Sequence, residues 1–200
     1  VSRSSHLSAF AVCILLCTAS PAIAQEAVAP QSSTATMQEM MKRMMPGEGH
    51  KIFATMMGKW TGVLKVWNSA APTAPPVESA TEAETKSIFG GRYVVTESKG
   101  TLMRMPMQRM AILGYDNLTK VYTLVFFSSM ETATNIATGT LDADGKVLTL
   151  RGEFDEPQGK YPFKNVIRMD SEDVHVFESY RIMPDGRELK LIEEMNTRVK

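Results

Sequence analysis

The residues able to do acid–base or nucleophilic chemistry are few in this chain. Its histidines are His6, His50 and His175, and both cysteines, Cys13 and Cys17, fall within the first 24 residues. Ser128, Ser129 and Ser179 sit in no strand–turn–helix elbow of the kind that activates a serine. His175 alternates with Phe177, while Val174 and Val176 point the other way, the pattern of a single histidine in a strand. Asp142 and Asp144 belong to a turn and lack the spaced oxygen ligands and closing glutamate of a calcium loop. Two strand carboxylates, Glu97 and Glu178, are candidates to reach an enclosed interior and orient a ligand, or else face water. No catalytic residue, metal site or cofactor is expected.

Methionine is the compositional oddity, with 15 in 200 residues. Met103, Met105 and Met107 alternate on one side of an extended stretch, with Met110 nearby, and are candidate ligand-binding residues. Met37, Met40, Met41, Met44 and Met45 recur at i, i+3, i+4, i+7 and i+8, one face of a helix. Thioethers are soft ligands suited to Cu(I) or silver, and they are also adaptable filler of apolar interiors. The second role predicts that both stripes pack as core or lid.

The elements that position these groups begin after an export-like leader. Arg3 and His6 precede the apolar run from Leu7 to Leu16, and Ala22-Ile23-Ala24 supplies small residues before Gln25. Residues 1–24 therefore read as a signal peptide and 25–36 as a flexible linker of Ala, Pro, Ser, Gln and Thr. Residues 37–200 form a single domain on this reading. Cleavage leaves 200 − 24 = 176 residues, enough to bury a core without disulfides. It also leaves 22 − 1 = 21 basic against 22 acidic residues, which gives no positive field for nucleic acid or an anionic membrane. A periplasmic or secreted protein of bacterial type is expected, monomeric or homodimeric, with no stable membrane insertion after cleavage.

A helix near Thr36 ends at Pro46-Gly47, and a second, from His50 to Met57, stops at Gly58. From Lys59 the apolar period changes to two. Strands are expected over Lys59 to Trp67, about Ser79 to Phe89, Arg92 to Lys99, Gln108 to Tyr115 and Lys120 to Ser128. Five more follow, over Ala133 to Leu141, Lys146 to Glu153, Pro162 to Met169, Val174 to Ile182 and Arg187 to Val199. Leu102 to Pro106 reads as an edge or a lid. Short strands joined by turns such as Asp142-Ala143-Asp144-Gly145 favour an all-β fold, an antiparallel barrel of about ten strands with a helical cap.

Gly58-Lys59-Trp60-Thr61-Gly62 resembles the Gly-x-Trp opening of lipocalin-like and fatty-acid-binding-like barrels, the calycin group. Further segments are His50-Lys51, Phe89-Gly90-Gly91-Arg92-Tyr93, Gly114-Tyr115-Asp116-Asn117 with Lys120-Val121-Tyr122, and Asp144-Gly145-Lys146 with Leu148-Thr149. Together they resemble a family of small, mostly bacterial barrels classed as a domain of unknown function. The likeness spans roughly His50 to Lys200 and implies a lipocalin-like fold rather than an activity. It also implies structural roles: Gly58 ends the cap, and Trp60 packs inside the closed end under a basic residue of the last strand, here Arg198. The function expected is noncatalytic binding of a small apolar or amphipathic ligand outside the cytoplasm. The alternatives are an isomerase or hydrolase using carboxylates in the lumen, soft-metal binding through methionines, and a structural protein with a packed barrel.

Overall fold

The computed structural model describes residues 33–157 and 159–200. The expected signal peptide and all but the end of the expected linker lie outside the described residues. Among the described residues, two α-helices, α1 (Ser33–Met44) and α2 (Ile52–Met56), precede ten strands in one continuous meander. The strands are β1 (Gly58–Val66), β2 (Val77–Ile88), β3 (Tyr93–Leu102), β4 (Met105–Asp116) and β5 (Val121–Ser128). They continue as β6 (Asn135–Leu141), β7 (Val147–Glu156), β8 (Gly159–Met169), β9 (Val174–Ile182) and β10 (Glu188–Arg198). Each pairs antiparallel with its sequence neighbours, and β1 pairs with β10 from Trp60↔Arg198 to Val66↔Ile192. The barrel is closed.

Period-two patterning decides which side chains point inward. In β1, Trp60 and Leu64 are buried with Gly62 between them, while Lys59, Thr61 and Val63 are exposed. Leu148 and Leu150 of β7 are fully buried and face Ile167 and Asn165 of β8. Fully burying one such Leu or Ile side chain contributes ~1.5–3 kcal/mol, so the β6–β8 side of the interior is packed core. Turn chemistry sets the register. Asp142 Oδ1 accepts from the amides of Lys146 and Val147, and Gly145 takes φ +71°, closing the β6–β7 hairpin. β10 carries a bulge between Lys190 and Ile192.

The stretch expected as an edge or lid is a tight hairpin. Met103 and Arg104 both have positive φ, 51° and 66°, the conformation of a two-residue turn whose twist matches paired strands. Ladder pairing then runs on from Leu102↔Met105.

One end of the barrel is closed by α2. Ile52 and Phe53 join Val94, Leu113, Tyr122, Leu124 and Leu148 in a single cluster, and the Tyr122 hydroxyl donates to the Gly49 carbonyl at 2.7 Å. Trp60 Nε1 donates to the Met56 carbonyl at 3.0 Å. The Arg198 guanidinium lies 4.2 Å from the Trp60 ring and donates to the carbonyls of Met57, Thr55 and Glu172 at 2.5–3.0 Å. One side chain thus satisfies the Thr55 carbonyl of α2 and the Met57 carbonyl just past it, and ties in the β8–β9 turn. Gly58 has φ +117°, and a Cβ there would stand 2.8 Å from Arg198 Nη1, so both backbone and space demand glycine.

Helix α1 is placed differently. It begins at Ser33, inside the stretch read as linker. Its last turn is held by backbone: Asn117 Nδ2 donates to the Lys42 and Met45 carbonyls, and Arg92 Nε to that of Met44. The methionine face is not core or lid. Met37, Met40, Met41, Met44 and Met45 are 51–60% exposed.

Arg198→Ala removes the cation–π contact and several charge-assisted bonds together, and is expected to cost about 2–4 kcal/mol in urea denaturation. Arg198→Lys should recover little of this, because an ammonium cannot span three carbonyls from one stacked plane.

Candidate functional site

The interior opposite the packed β6–β8 side holds a cavity of about 120 Å³. Its apolar wall comes from Ala111, Leu124, Phe126, Ile167 and Phe177, with Met56 and Trp60 beside the capped end. Its polar wall comes from Thr85, Thr96, Ser98, Arg109, His175, Glu194 and Asn196. Arg109 of β4 and Glu194 of β10 belong to strands separated by three others, so their contact bridges the lumen. Arg109 Nη2 donates to Glu194 Oε1 at 2.7 Å, with only 10% and 7% of the two side chains exposed. The same carboxylate oxygen accepts from the Thr81 hydroxyl at 2.6 Å, and Arg109 Nε donates to Ser98 Oγ at 3.0 Å.

Gly62 makes room for this cluster. A Cβ at Gly62 would sit 2.4 Å from Thr81 Oγ1, 2.6 Å from Asn196 Oδ1 and 3.3 Å from Glu194 Oε1. Strand β1 therefore supplies an empty position over which three polar side chains of β2 and β10 meet. His175 completes the site: its ring centroid is 4.3 Å from that of Trp60, edge to face, and its Nδ1 is buried with no hydrogen-bond partner. Burial pushes its pKa down to about 4, opposed by the Glu194 carboxylate and reinforced by the Arg198 charge. His175 is neutral at physiological pH and presents an unsatisfied polar atom.

The residues proposed from sequence lie elsewhere. Glu97 is exposed on the outer face of β3, beside an open depression of about 830 Å³ across β1–β5. That depression faces solvent, and charges along it pair with one another, as Lys99 does with Glu82 at 3.0 Å. Glu178 is buried, but on the outer face of β9, held by Arg168 Nη1 at 2.8 Å and Lys190 Nζ at 2.5 Å. Neither carboxylate reaches the lumen, because each has the opposite parity to an inward neighbour, Ser98 and Phe177. Met103 occupies the hairpin turn at 68% exposure and Met105 follows it at 49%. Met107 alone of the three is buried, on the inward side of β4. Met110, 37% exposed, points outward.

Arg109, Glu194, Asn196 and Thr81 were missed, although a signal existed. Arg109 shares the inward parity of Met107, Ala111 and Leu113, and a charge in an otherwise apolar register marks an internal polar site. Glu194 carried the same signal, but the bulge before it broke the alternation from which parity would be counted.

A closed antiparallel barrel with a helical plug at one end and a polar-walled cavity inside defines a class of small barrels built around an interior. The chain belongs to the family described as protein of unknown function (DUF1579), which matches residues 45–198. Among solved structures, it is similar to the crystal structure of Rv2717c from M. tuberculosis at 15% identity and a TM-score of 0.57. That match covers 77% of this chain and 99% of the other. It is also similar to the S-type phycobiliprotein lyase CPES from Guillardia theta at 14% identity and a TM-score of 0.53, covering 81% and 97%. At these identities the likeness is one of fold. No curated protein matches the sequence.

Two measurements test the site as built. Arg109→Met leaves Glu194 buried without its counter-charge and should cost about 3–5 kcal/mol, whereas Arg109→Met with Glu194→Leu should restore most of it. His175 binds its proton in the unfolded chain near 6.5 but only near 4 in the fold, so stability falls as pH drops through that window. The loss amounts to about 3 kcal/mol by pH 4. The difference in stability between wild type and His175→Gln, measured from pH 7 to pH 4, should show this slope.

Proposed function

We propose that the protein is a noncatalytic binding module, exported by its leader-like residues 1–24, whose lumen takes a small amphipathic molecule. The observation that carries this reading is the cavity itself, apolar on one wall and lined on the other by hydroxyls, the Arg109–Glu194 pair and the His175 ring. A space of about 120 Å³ is below the ~300–1,000 Å³ of sites for drug-sized ligands. The ligand is accordingly short, unless the flexible side chain of Met56 gives way.

The head group is uncharged. Arg109 and Glu194 already neutralise each other, so a further ion would be buried without a partner, at a large desolvation cost. A hydroxyl or amide can instead hydrogen-bond to the polar wall without adding a charge. The arrangement does not favour hydrolase or isomerase chemistry, because Oε1 of the lumen carboxylate is already taken by a guanidinium and a hydroxyl. That a structural neighbour is a phycobiliprotein lyase fits a barrel that handles a ligand, without indicating which one.

Trp60 lines the cavity and reports on it once the other tryptophan is removed as Trp67→Phe. Titration with butanol, butyramide, butyrate and butylamine should give saturable changes in Trp60 fluorescence for the two neutral probes and none for the ions. Ala111→Phe, which fills the cavity, should abolish them. Absence of saturation with every probe, or unchanged binding in Ala111→Phe, sinks the proposal.

A further inference from the structure

The methionine face of α1 has no part in the lumen site, and the barrel leaves it uncovered. Helices in small proteins are usually held by an apolar stripe turned toward the core. Here the attachment is the reverse: Asn117 and Arg92 grip three carbonyls of residues 42, 44 and 45, and the stripe faces away. Met45 is partly engaged, its sulfur 3.6 Å from Arg92 Nη2. Met37, Met40, Met41 and Met44 are 51–60% exposed.

The composition of this face says which property of methionine is being used. Over its sequence STATMQEMMKRM, α1 contains no Leu, Ile, Val or Phe. Leucine matches methionine in helix propensity, so helix formation does not explain the choice of methionine. What methionine adds is a flexible side chain ending in an uncharged, polarisable sulfur donor. At 3.6 residues per turn, Met37, Met40, Met41 and Met44 fall within an arc of about 100°. Their Cβ atoms are spaced ~5–6 Å between neighbours, near enough for flexible thioether side chains to converge on one ion. Lys42 and Arg43 lie outside that arc.

We propose that this face is a binding site for a soft monovalent cation, Cu(I) or Ag(I), held by two or three of the four thioethers. Among the described residues no cluster of His, Cys, Asp and Glu forms a site for a harder metal. The α1 face is independent of the lumen: the ion binds by coordination alone, with no change of oxidation state.

The test uses the full chain with its methionine methyl groups labelled with carbon-13, titrated with silver nitrate in chloride-free buffer. One equivalent of Ag(I) should shift the methyl signals of at least two among Met37, Met40, Met41 and Met44 and leave buried Met107 unmoved. Substituting Met40→Leu, Met41→Leu and Met44→Leu together keeps the face apolar and helix-forming. It should weaken binding by more than the ~10–100-fold that lost outer-shell support costs a metal site. The control Met103→Leu with Met105→Leu should bind as wild type does. Near-ultraviolet circular dichroism checks that the barrel is unchanged in each variant. Silver binding that persists in the triple variant, shifts confined to Met103, Met105 or Met110, or equal affinity for Zn(II) would each overturn the proposal. Repeating the titration with Cu(I) under ascorbate should reproduce the silver result.

Discussion

The constraint on which this structure depends is that its last strand must return to its first. A ten-stranded meander has two edges until β10 lies against β1, and closure removes both without disulfides or covering elements. The β1–β10 seam also brings the chain's distant parts into contact. Trp60 meets Arg198 at one end of the ladder, and Gly62 meets Asn196 near its middle. The cap and the polar lumen are both consequences of that single pairing. Arg198 reaches back to α2, while Glu194 and Asn196 are presented over the space that Gly62 leaves open.

The interior is divided between these two demands. Toward β6–β8 it is filled by Leu148, Leu150, Phe163 and Ile167, which supply apolar burial. Toward β2–β4 and β10 it contains an ion pair and hydroxyls around a cavity, with the His175 ring beside it. A buried ion pair is a weak source of net stability compared with well-packed apolar residues of similar volume. Its presence beside a cavity, in a barrel with ample apolar packing elsewhere, is accounted for by the binding role proposed above.

Much of the architecture was legible in the sequence because strand patterning and turn residues are local. The ten strands lie within a few residues of where period-two alternation puts them, and Val174–Ile182 coincides at both ends. The β3–β4 connection was harder to read, since neither Met103 nor Arg104 is a typical residue for the positive φ both adopt. The site was less legible for a different reason. Glu97 and Glu178 were plausible as isolated strand carboxylates, but a shift of one position exchanges lumen for exterior. Arg109 could have been found by counting from Leu113, whereas Glu194 could not be counted from the start of its own strand. The methionine stripe of α1 was recognised as one face of a helix, and periodicity alone could not say whether the face was covered.

The bulge in β10 has an outcome larger than its size. Upstream of it Leu189 pairs with inward Arg181, and Lys190 points out beside Tyr180; beyond it Ile192 faces in with Ser179 and Glu193 out with Glu178. A regular strand continuing from Lys190 would turn Leu191, Glu193, Met195 and Thr197 inward. Glu194, Asn196 and Arg198 would then be on the outside, leaving Arg109 without a counter-charge and Trp60 without its cover. One extra residue therefore acts as a phase shifter for the final strand. It keeps Lys190 and Glu193 in one exterior charge network on either side of the shift while turning Glu194 and Asn196 into the interior site, so that inserting or deleting a residue there would rewire both.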